Sequence, residues 1–149
     1  MGLNYCIIQK FPVIGTKNDT TFALTPATLT ASAAGNQKVI DGVAGMSKFD
    51  LRYSYTTGAA ETSNAVNIVI EESADGTNWF TISNETVSGG TSNLAARTFV
   101  NSDNTGGATN IKASLGLDIF YDKLRVSFFE TGVVTNFGTI YAEASILGE

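Results

Sequence analysis

"KLRVSFFETGVVTNFGTIYAEASIL", Lys123–Leu147, decides the fold. Leu124, Val126 and Phe128 alternate with Arg125 and Ser127. Past Gly132 and Gly138, Ile140, Ala142, Ala144 and Ile146 alternate with Tyr141, Glu143 and Ser145. Side chains on a strand point to opposite faces in turn, so this pattern predicts two strands with one buried face each. Phe129 and Tyr141 fall on the outward face.

The same period recurs upstream. In "KFDLRYSYTT", Phe49, Leu51, Tyr53 and Tyr55 share one face, and Lys48, Asp50, Arg52 and Ser54 the other. "AVNIVIEES" sets Val66, Ile68 and Ile70 inward, with Asn67 and Glu71 outward. Asp75-Gly76 supplies a tight turn, and Trp79–Ile82 reads as the returning strand, so 65–83 is predicted to be a β-hairpin. Pro26 divides Thr20–Ser32 into two short strands or a bulged one. Asp41-Gly42 and Gly45 punctuate a turn-rich stretch. "LAARTFVN" is a short strand, Leu115-Gly116-Leu117 a bend, and 84–93 and 101–110 polar loops. No helical period and no internal repeat stands out. Short strands between glycine-rich turns indicate two antiparallel sheets packed face to face.

A chain of 149 residues is long enough for one domain with a sizeable core. Residues 1–20, with Pro12 among Tyr5, Ile7, Ile8, Phe11, Val13 and Ile14, read as an N-terminal arm or edge strand. Residues 21–149 read as a single β-sandwich domain. Charged residues make up only 15%, so the surface relies on Asn, Thr, Ser and Gly. The net charge is −5 and the nine basic residues do not cluster, which argues against nucleic acid and anionic membranes as partners. The lone Cys6 cannot close an internal disulfide, which suits a reducing compartment. No leader or apolar membrane-length run is expected.

Chemistry is sparse. The absence of histidine removes the commonest general base and the Ser-His and Cys-His pairs. Glu71 and Glu72 are adjacent on a strand, point to opposite faces and read as a solvated strand end. Asn101–Asn110 is rich in oxygen ligands but holds one carboxylate, Asp103, and reads as an ordinary polar loop. No catalytic residue, cofactor, metal or small-molecule substrate is expected. Among the aromatics, Tyr53 and Tyr55 belong to the core face, and only one of Trp79 and Phe80 is expected to point outward.

Two stretches carry resemblances. "VIEESADGTNWFTIS" resembles a hairpin of discoidin-like domains and other β-sandwich modules. "ASLGLDIFYDKLRVSFFETGVVTNFGTIYAEASILGE" is similar to the C-terminal part of jelly-roll cement, or decoration, proteins of tailed-bacteriophage capsids. The features that carry this likeness are Leu115-Gly116, Tyr121, Leu124-Arg125-Val126, Gly132 and Thr139–Leu147.

Pattern and resemblance together predict an all-β fold: an antiparallel β-sandwich, a jelly roll of seven to eight strands, with an extended N-terminal arm. The resemblance implies a non-enzymatic virion protein on the outer capsid surface, made in the host cytoplasm. Its partners would be the major capsid protein and copies of itself, as a homo-oligomer. The alternative is a carbohydrate-binding or adhesion module, such as a tail-fibre or discoidin-like domain. Tyr5, Ile7, Ile8, Phe11, Phe129 and Tyr141 are the expected protein–protein interface.

Overall fold

The computed structural model describes residues 7–56, 58, 64–82, 97–101, 110–131 and 136–148. Among these the strands are β1 (Ile7–Ile14), β2 (Thr16–Lys17), β3 (Leu24–Thr25), β4 (Ala27–Thr28), β5 (Gln37–Ile40) and β6 (Met46–Thr56). They continue with β7 (Asn64–Ser73), β8 (Phe80–Thr81), β9 (Arg97–Asn101), β10 (Asn110–Asp118), β11 (Lys123–Thr131) and β12 (Thr139–Gly148). Tyr5, the expected loop 84–93 and residues 102–109 of the expected loop 101–110 lie outside the described residues.

Two antiparallel sheets form the sandwich. The first runs β1-β12-β6-β10, with β4 beside β1 on the same flank of β12. The second runs β5-β11-β7, and both β8 and β9 pair with β7. β8 meets Glu71 and Glu72 near the end of β7, while β9 meets Asn64–Ile68 nearer its start. The hairpin across Asp75-Gly76 is therefore real but short. Gly76 takes the left-handed conformation there, at φ 77°.

The alternation read from the sequence places the core. Phe49, Leu51, Tyr53 and Tyr55 from β6 face Val66, Ile68 and Ile70 from β7 and Leu124, Val126 and Phe128 from β11. Ile140, Ala142, Ala144 and Ile146 complete the layer. Burying each large apolar side chain contributes about 1.5–3 kcal/mol.

β1 is an edge strand of the first sheet. It pairs with β12 from Ile7↔Gly148 to Ile14↔Ala142, with a register shift between Pro12 and Ile14, and sends Val13 and Ile14 into the core. Pro26 stands between β3 and β4, where its missing N–H interrupts no ladder. The segment after β4 crosses between the sheets: the Leu29 N–H donates to Gly138 O, and the Glu130 N–H to Thr30 O.

Gly116 departs from expectation. It lies inside β10, opposite Asp50, in unbroken register. The chain instead turns at 119–122, where the Ile119 N–H donates to Ser47 O and Asp122 O accepts from Val43.

Candidate interaction surface

Three turns meet at one end of the sandwich: 41–45, 74–79 and 119–122. Polar side chains hold each one. Asp75 Oδ1 accepts from the Thr77 and Asn78 N–H groups, each at 2.8 Å. These bonds, with a further one from the Asn78 side chain, keep its carboxyl well below the usual carboxylate range. Lys123 Nζ meets Asp41 Oδ1 at 2.5 Å. That bond lowers the Asp41 pKa and raises that of Lys123.

The Glu71–Glu72 pair is not a solvated strand end. Glu72 is 1% exposed, and its Oε1 accepts the Phe120 N–H at 2.8 Å. Glu71 is half-buried and bonds Arg125 Nε at 2.6 Å. The Arg125 guanidinium in turn lies 4.3 Å from the centre of the Trp79 ring. The parity that sends Val66, Ile68 and Ile70 inward sends Glu72 inward too, so the signal was in the sequence.

A second carboxyl group follows the same rule. Glu130 shares parity with Leu124, Val126 and Phe128 and is 0% exposed. Its Oε1 accepts from Tyr55 Oη at 2.5 Å, and its Oε2 from the Gly138 N–H at 2.8 Å. Gly138 permits this approach: a Cβ there would lie 2.5 Å from the Tyr55 ring.

The fixed turns hold aromatic side chains out to water. Phe120 is 79% exposed, Phe80 61% and Tyr121 47%. Trp79 is half-buried against Arg125, so neither member of the Trp79-Phe80 pair enters the core. Beside Phe120 runs a groove of about 520 Å³, with Ile82 and Leu117 on its apolar side and Lys48, Asp50 and Asp118 on its polar side. Lys48 and Asp118 form an ion pair across adjacent strands.

The described residues of the expected interface are divided between the two sheets. Ile7, Ile8 and Phe11 lie on the backbone of β1, at the edge of the first sheet. Phe129 is half-buried on β11. Tyr141 is only 5% exposed rather than outward, because the chain leaving β1 passes close over it: a Cβ at Gly15 would lie 3.0 Å from its ring. Phe80, Phe120 and Tyr121, each exposed, were absent from the expected interface. Their exposure depends on where two turns end, and strand period does not encode that.

Among the described residues no three acidic or thiol side chains cluster so as to hold a metal ion. No helix among them is long and apolar enough to cross a membrane.

No family model and no curated protein matches the chain. Among solved structures it is similar to dimeric latent PorU from Porphyromonas gingivalis, with a TM-score of 0.48 and 9% identity. That likeness covers 97% of this chain and 13% of the PorU chain.

Proposed function

We propose that this chain is a non-enzymatic structural protein of a tailed-phage virion: a jelly-roll decoration, or cement, protein that bridges capsid subunits on the outer head surface. The observation that carries the reading is the fixed end face. Its polar groups bond one another, and Phe80, Phe120 and Tyr121 remain outside. Exposed aromatic side chains on a rigid support suit a protein–protein contact better than turnover of a substrate.

The strand order supports the same reading. Among the described residues eight strands exceed two residues: β1, β5, β6, β7, β9, β10, β11 and β12. Numbered in chain order, the first, eighth, third and sixth make one sheet, and the second, seventh, fourth and fifth the other. Pairing of this kind wraps a long antiparallel ribbon into a jelly roll, an architecture found in capsid and lectin domains. The partners in this reading are the major capsid protein and further copies of the chain.

Sedimentation with expanded heads lacking the protein tests it. Saturable binding that protects heads from heat and dilution is expected, and Phe120→Ala should weaken it at an unchanged Tm. Heads that neither bind the protein nor gain resistance would refute the reading. The carbohydrate-binding alternative drew on the Trp79 hairpin; that ring is half-buried, with the Arg125 guanidinium 4.3 Å from its centre.

A further inference from the structure

The β2–β3 hairpin carries a feature that the head-binding reading does not use. Phe22, near its tip, has φ 57° and is 69% exposed. A bulky side chain is strained in the left-handed region, and burial offers no compensation here. Local bonds hold the strain in place. The Phe22 N–H donates to Asn18 O at 2.8 Å, and the Asn18 N–H to Ala23 O at 2.8 Å. Asn18 Oδ1 also accepts from Thr20 and Thr21, at 2.9 and 2.8 Å.

The ring thus set in place forms one wall of a groove of about 370 Å³, within the roughly 300–1,000 Å³ typical of ligand sites. Tyr141 and Glu143 line it from β12, and the tyrosine hydroxyl donates to Glu143 Oε2 at 3.3 Å. Lys10, Lys17 and Asp19 complete the polar lining, and Lys17 Nζ lies 5.5 Å from the Phe22 ring centre.

The charges decide what class of ligand fits. Two lysines and two acidic residues line one space, which favours neither an anion nor a cation. Both hydrogen-bond donors and acceptors stand beside an exposed aromatic face. We infer that the groove is a carbohydrate site that takes a neutral pyranose unit. The C–H face of the sugar stacks on Phe22. Its hydroxyls accept from Lys10 and Lys17 and donate to Asp19 and Glu143. A preorganised ring lowers the ordering cost of binding, which gives the strained backbone a purpose. The site is separate from the aromatic end face, so head binding and sugar binding can fail independently.

The full chain should be screened on a glycan array, and the retained neutral oligosaccharides titrated by calorimetry. Phe22→Ala is expected to weaken binding by about tenfold or more at an unchanged Tm. Phe22→Gly should weaken binding at least as much while raising the Tm, because glycine accepts this φ without strain. Glu143→Gln should weaken binding and leave the Tm in place. An array that retains no neutral glycan overturns the inference, as does affinity indifferent to Phe22→Ala. Loss of head binding on Phe22→Ala, with glycans ignored, would assign the ring to a protein contact and overturn it equally.

Discussion

Glu130 and Phe22 are each on the wrong side of the surface by composition alone: a carboxyl group in the core, and a phenyl ring in water. Their surroundings differ in kind. Glu130 sits between the sheets with Tyr55 and Gly138 bonded to its two oxygens. Phe22 is 69% exposed, and its backbone is strained. A buried polar group that is fully bonded fixes how two strands meet. An exposed apolar group held by strain is retained at a cost to stability, and such positions cluster at functional sites. Substitution at each region should therefore move different observables.

The largest effect belongs to the core. Each buried donor left unpaired costs about 1–3 kcal/mol. Glu130→Ala removes an acceptor from the Tyr55 hydroxyl and from the buried Gly138 N–H, so urea denaturation should show a loss of about 4 kcal/mol. A loss under about 1 kcal/mol would mean that the carboxyl group does not join the sheets. Gly138→Ala should cost about 1–3 kcal/mol by forcing the Tyr55 ring aside. Glu72→Ala should cost about the same by stranding the Phe120 N–H, and hydrogen exchange should then quicken at 119–122 first.

The hairpin tip should respond with the opposite sign. Phe22→Gly should stabilise the chain by about 1 kcal/mol, the approximate cost of a left-handed conformation for a residue with a Cβ. A destabilised glycine variant would show that the ring packs in solution and would remove the contrast.

Acid should give the smallest effect, at the opposite end from the hairpin. Asp75 is depressed in the folded state by the Asn78 and Thr77 bonds. Its contribution to stability is present above its unfolded pKa of about 3.9 and falls away as pH drops through the lower folded value. Asp75→Asn should make the Tm less steep below about pH 4 and leave it almost unchanged at pH 7.

Strand period carried the sequence a long way. It assigned the inward faces of β6, β7, β11 and β12, and the Asp75-Gly76 turn followed from backbone chemistry. Applied without regard to residue type, the same period also places Glu72 and Glu130 inside. Reading Glu72 as solvated let the preference of carboxylates for water outrank a parity shared with Val66, Ile68 and Ile70. The Gly116 bend failed for the complementary reason: glycine weakens a strand without ending it when the neighbouring strand keeps the register.

The candidate sites were less legible. Tyr141 alternates outward on β12, and nothing local announces that the chain at Gly15, more than a hundred residues upstream, will pass over it. Phe120 is held at the end face because Glu72 reaches across to the turn after β10, and that bond spans 48 residues.

By itself the sequence determined that the chain is built of strands, which face of each is apolar, and where several tight turns fall. These are local matters, set by side-chain alternation and by the φ that glycine allows. Only the tertiary structure decided which strands are neighbours, which carboxyl groups find donors in the core, and which aromatics are left in water. Those outcomes depend on groups far apart in the chain arriving at one place, and a period of two residues carries no information about distance along the chain.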